Sequence, residues 1–202
     1  MIKAPNTLIS LAAVVSLSAC TIFPQAEPPR LMELSAPERI SQAEQMIPVA
    51  LRVDTPLASE PLESTRILVK PSPYEFQALP QFRWRDTAPV VVRDYLIQGL
   101  RQSAGFNNIM TDTSPATAAY TLVSELSGFH AEVRRSGTIV VVHLHAELLD
   151  NRTRNSLCVL DERQEALVSG AGIESLMAAF SDSASALSGR VTDWARACLG
   201  PE

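Results

Sequence analysis

Apolar residues recur every three to four positions at Ile173, Leu176, Met177, Phe180, Ala184, Leu187, Val191, Trp194 and Cys198. That period predicts an amphipathic helix of about 26 residues, the clearest element of the chain. Gly189 lies inside it as a point of weakness or bending, and Gly200-Pro201 ends it. A second stripe, Val92, Leu96, Leu100 and Ser103, widened by Val91 and Tyr95, predicts a helix over 88–104. Asp86 or Thr87 can cap it, Pro89 suits its first turn, and Gly105 supplies a stop.

Between the helices the period changes to two. Val140, Val142, Leu144, Ala146 and Leu148 alternate with His143, His145 and Glu147, as in a strand with one face buried. With residues 119–133 this strand, 138–150, forms a hairpin whose turn carries Gly137. In the first strand Tyr120 and Leu122 share one parity and Phe129, Ala131 and Val133 the other. One extra residue near Ser127-Gly128 reconciles them, so a β-bulge is expected there. A third strand follows over about 156–168. Upstream, Val49–Val53 and Ile67–Val69 are short apolar runs bounded by proline, and Tyr74–Phe76 and Phe82–Asp86 flank Pro80. The pattern predicts an α/β (α+β) fold in a single domain: an antiparallel-rich sheet with the two main helices packed on one face.

The first twenty residues follow neither period. Lys3 precedes an apolar run from Leu8 to Leu17, about the length of a signal h-region and too short to span a bilayer. Leu17-Ser18-Ala19-Cys20 has the form of a bacterial lipobox: an aliphatic residue three before the cysteine, then small residues at the cut. The expectation is a signal peptide over 1–19, lipid (diacylglycerol and an acyl chain such as palmitate) on Cys20, and a Pro-rich tether over 20–30. Thr21 in place of Asp favours the outer membrane, facing the periplasm. The globular domain then occupies 31–202.

Composition narrows the function classes. Of 202 residues, 46% are hydrophobic, enough for a real core. With 17 basic and 22 acidic residues the net charge is −5, which gives no footprint for nucleic acid. In the oxidising periplasm Cys158 and Cys198 are the two thiols left once Cys20 is acylated, and two thiols allow one bridge, between a strand and the last helix. Two free buried thiols are the other reading.

Candidate chemistry is sparse. His143, His145 and Glu147 share a strand face with His130 nearby, but side chains alternating along a strand stand ~7 Å apart and converge poorly on one ion, so no metal site is expected. No nucleophile elbow, phosphate loop or dinucleotide fingerprint occurs, so no catalytic residue and no cofactor is assigned. Tyr74, Phe76, Phe82 and Trp84 gather four of the eleven aromatics into eleven residues, beside Arg83 and Arg85. They either pack beneath the 88–104 helix or form a partner or lipid surface.

The order and spacing of these pieces resemble the PqiC-like ABC-type transport auxiliary lipoproteins. The resemblance rests on the lipobox with its tether, on Arg66–Lys70 running into Pro71-Ser72-Pro73-Tyr74-Glu75-Phe76, on Phe82-Arg83-Trp84-Arg85-Asp86 before the helix, and on Tyr120–Leu122, Phe129–Val133 and Ala146–Asp150 in the meander. It spans residues 31–199. It implies a non-enzymatic, outer-membrane-anchored subunit of an MCE-type lipid transport system, partnered by an MCE-domain protein and, through it, an ABC permease and ATPase. Members can form rings, so it also implies a homo-oligomer. Cys20 carries over as the lipidation site, and Arg83-Trp84-Arg85-Asp86 as a family landmark whose structural and docking roles both stay open; from the residues themselves, Tyr74, Phe76, Phe82, Arg83, Trp84 and Arg85 form the docking candidate. A periplasmic chaperone that binds lipid or lipopolysaccharide in an apolar cleft is the alternative.

Overall fold

The computed structural model describes residues 27–38 and 40–200. The expected signal peptide, Cys20 and most of the tether lie outside the described residues. Among the described residues, eight strands and two helices follow in the order β1 (Arg30–Met32), β2 (Ile47–Val53), β3 (Arg66–Ser72), β4 (Glu75–Trp84), α1 (Ala88–Gln102), β5 (Phe106–Thr111), β6 (Tyr120–Arg134), β7 (Gly137–Asp150), β8 (Ser156–Leu167) and α2 (Ile173–Leu199).

The sheet is organised by β6. One of its edges pairs with β7 along its whole length, antiparallel, and β7 pairs likewise with β8. Its other edge is shared. β2 runs parallel to Tyr120–Leu122, and β3 runs parallel to His130–Glu132. β5 extends the first branch, and β4 and β1 extend the second. The sheet therefore forks. It is mixed, with four parallel pairings and three antiparallel, which corrects the antiparallel-rich sheet expected from the hairpin alone. Strand periodicity reports which face is buried and not which neighbour a strand takes, so the parallel branches left no mark in the pattern.

The bulge falls where the parity change placed it, between Leu126 and Gly128. It lets Leu122, Leu126, Phe129 and Ala131 share one face, opposite Leu148, Leu144, Val142 and Val140. All eight are at most 1% exposed. Gly137 turns the hairpin with φ of 122°, a backbone conformation that costs other residues a steric penalty.

α1 and α2 pack on this core and on each other. Gly99 of α1 permits their close approach, because a Cβ there would collide with Ser188 Oγ. Val91, Val92, Tyr95, Leu96 and Leu100 are buried, as is every member of the α2 stripe except Trp194 and Cys198, which are partly buried. α2 runs unbroken through Gly189. Cys158 of β8 and Cys198 of α2 form a disulfide with Cα atoms 6.3 Å apart, fastening the last turn of the helix to the edge strand. α1 ends at Gln102, and its positive φ falls on Ala104 rather than on Gly105.

Candidate docking surface

The aromatic-arginine segment does not stay together. In a regular strand Phe76, Phe82 and Trp84 would share a face. Between Leu68 and Arg66 on β3, however, the partner register on β4 jumps from Ala78 to Arg83, so β4 carries extra residues around Pro80. Proline cannot donate to a ladder and is tolerated at such an irregularity. The odd offset reverses the parity, and the two ends of the strand face opposite ways.

Trp84 points inward and is fully buried. Its ring lies 5.0 Å from both Phe129 and Phe180, so it joins β4 to β6 and α2. Phe82 is partly buried on the same side, with the Arg30 guanidinium 5.5 Å above its ring. Arg85 is a latch: its Nε lies 3.0 Å from Glu33 and its Nη2 donates to Asp94 of α1 at 2.7 Å. Arg93 extends the network by donating to Asp94, Asp112 and Thr55. Phe82, Trp84 and Arg85 thus serve the core and its rim. Arg83 is exposed on the far face.

Tyr74 and Phe76 remain at the surface. Tyr74 occupies the tight turn between β3 and β4 and is 98% exposed. Phe76 folds over the outer face of the sheet, edge-on to His130 at 5.2 Å, with Lys70 Nζ 5.2 Å from its ring centroid. Beneath Phe76, His130 Nε2 donates to Glu132 Oε1 at 3.1 Å, and Nδ1 is buried without a partner. Burial outweighs the Glu132 carboxylate and pulls the imidazole below its ordinary value. Burial pushes Glu132 up, but hydrogen bonds from Arg134 and His130 hold it lower than usual. Glu165 is lowered by hydrogen bonding to Arg134, which it meets in a two-point pair at 2.9 Å.

The histidine face is a bridged polar ladder. Ser127 Oγ and His143 Nδ1 are 2.9 Å apart, and Asp161 lies 3.2 Å from His143 and 3.6 Å from His145. Among the described residues no group of three or more His, Cys, Asp or Glu is placed to hold a metal ion. An open groove of about 620 Å³ runs along α2, lined by Ser35, Glu38, Gln164, Ser181, Asp182 and Arg190 among others. Its lining mixes polar and apolar groups with a modest polar excess, whereas an acyl chain takes a mostly apolar cleft. Its residues come from four distant segments, the stretch before β2, α1, β8 and α2, so no local pattern in the sequence gathers them. Among the described residues no helix is long and apolar enough to cross a membrane.

The fold has known counterparts. Protein XCC0632 from Xanthomonas campestris superposes with a TM-score of 0.74 at 18% identity, covering 84% of this chain and 96% of its own. An uncharacterized protein gives 0.66 at 15% identity over 84% and 99% of the two chains. A hypothetical protein from Chlamydia trachomatis gives 0.51 at 9% identity over 75% and 98%. At these identities the likeness is one of fold. No curated protein matches the sequence. Residues 33–192 match the ABC-type transport auxiliary lipoprotein component, from before Trp84 to near the end of α2, and the chain belongs to that family.

Proposed function

We propose that this chain is a non-enzymatic accessory subunit of an MCE-type ABC lipid transport system, held by lipid on Cys20 at the outer membrane and facing the periplasm. Its partner in this reading is an MCE-domain protein, which links it to an ABC permease and ATPase. Family membership supports the transport role. The observation that favours docking over lipid carriage is the filled interior. Trp84, Phe129 and Phe180 fill the space between sheet and helices, and the open groove along α2 has a mixed lining with charged Glu38, Asp182 and Arg190 in it. A chaperone that shields an acyl chain needs the reverse arrangement.

Of the six docking candidates, Tyr74, Phe76, Arg83 and Arg85 are exposed, and Arg85 is already engaged by Glu33 and Asp94; in this reading Tyr74, Phe76 and Arg83 meet the partner. A homo-oligomeric ring fits the same reading. The test is affinity purification in mild detergent through a C-terminal tag at native expression, with mass spectrometry of the eluate. Recovery of an MCE-domain protein is the expected result. Recovery of phospholipid or lipopolysaccharide without such a partner overturns the docking role in favour of the chaperone.

A further inference from the structure

We propose that the hairpin end of the sheet, with Tyr74 at its apex, rests on the bilayer that anchors the chain. The proposal builds on the reading of Cys20 as lipidated. Three independent features converge on that end.

The first is the path of the chain. β1 runs parallel to β4 with Arg30 opposite Phe82, and β4 itself runs away from the β3–β4 turn. Followed backwards from Arg30, the chain therefore heads for that turn. Followed forwards, it descends along α2. Arg30 lies 3.7 Å from Glu174, Ser35 N–H donates to Ser181 Oγ at 3.1 Å, and Ser185 Oγ donates to the Glu38 carbonyl at 2.7 Å. Arg30 is thus the entry point, beside the first turn of α2.

The second is reach. The turn is six residues along β3 from the level of Arg30, about 20 Å at ~3.3 Å per residue. Cys20 precedes Arg30 by ten residues, and ten residues of polyproline-type chain reach at most about 30 Å. The lipid clears the turn with little to spare. Reaching the opposite end, about eight residues of β6 away at ~3.3 Å each, would also require the chain to reverse its direction at Arg30.

The third is the surface. The β3–β4 turn, the β6–β7 turn and the end of β8 lie side by side, because Lys70 pairs with Glu132, Arg134 with Gly137 and Ile139 with Leu167. They expose Tyr74, Val133 (51%) and Leu167 (57%), with Arg135 at the second turn. A turn tip ordinarily carries polar residues, and no packing in the fold asks for an aromatic at Tyr74. A phenol ring has the apolar body and polar tip that suit the headgroup boundary. Arg134, 2.8 Å from Glu132 and 2.9 Å from Glu165, offsets the carboxylates there in a chain of net charge −5.

The test uses the full lipidated chain reconstituted into phosphatidylethanolamine–phosphatidylglycerol vesicles. Tyr74→Cys and, as the distal control, Met46→Cys are each labelled with the fluorophore NBD; Met46 is 56% exposed just before β2, at the far end of the sheet. With lipids brominated near the headgroups, the label at position 74 is expected to lose roughly half its emission, and the one at 46 to lose none. Vesicle flotation of the unlabelled protein is measured in parallel. Flotation without quenching at position 74, or with equal quenching at both positions, overturns the surface assignment and leaves the anchor standing. A blue-shifted but unquenched label at 74 overturns it in favour of a protein contact. Loss of flotation overturns the anchor and the proposal together.

Discussion

The two ends of β4 are built from the same kinds of residue and do opposite work. Phe82 and Trp84 at one end, Tyr74 and Phe76 at the other, all sit among prolines and basic side chains. Trp84 is fully buried between two phenylalanines, whereas Tyr74 is 98% exposed. The irregular register around Pro80 reverses the facing of the strand between them. The lesson is that an aromatic cluster in a sequence is not a surface: a single change of parity sends half of it into the core and half to solvent.

The comparison is broken most severely at its buried end. Trp84→Ala is expected to cost about 3–5 kcal/mol, through the lost burial and the cavity left between Phe129 and Phe180. Urea unfolding measures it. Trp84→Phe should cost less, since it also removes an indole N–H buried without a partner.

Next in size is the clamp on the wall that Trp84 packs against. Replacing Cys158 and Cys198 together by serine opens a loop closed over 40 residues of sequence, with an expected loss of about 2–4 kcal/mol. A thermal midpoint compared with and without reductant shows the same difference in the natural chain.

The half-covered region under Phe76 is sharpened by pH. Burial lowers His130 below its ordinary 6.5, so the folded state binds fewer protons there than the unfolded chain does. Stability is therefore expected to fall as pH drops through the ordinary imidazole value of 6.5 and to recover as pH rises back above it. Glu132 and Glu165 are lowered from 4.5, so their contributions are lost only further down as pH falls. His130→Gln is expected to flatten the upper slope. A slope unchanged by the substitution would assign it elsewhere.

Smaller effects separate the two ends further. Arg85→Ala breaks partly exposed pairs to Glu33 and Asp94 and should cost about 0.5–1 kcal/mol. Tyr74→Ser should change the unfolding free energy by less than about 0.5 kcal/mol, because the side chain touches little of the fold. Its consequence belongs to the surface it meets, and a Tyr74→Ser protein that melts several degrees lower would place Tyr74 in the core instead.

Much of this protein was legible in the chain itself. The stripe from Ile173 to Cys198 dictated α2, because an apolar period of 3.6 can be buried along one side only by a helix. The parity change at Ser127-Gly128 dictated a bulge, because a one-residue slip would otherwise turn Phe129 and Ala131 outward. The fork in the sheet was not legible. Val49–Val53 and Ile67–Val69 announce strands, but which edge they take depends on β6 being long enough to hold both. The sorting of the aromatic segment was hidden for the same reason. Tertiary pairing alone fixes the register of β4 against β3, and with it which ring is core and which is surface. Local periodicity records burial that each element achieves by itself, whereas neighbour choice and register come from contacts between residues far apart in sequence.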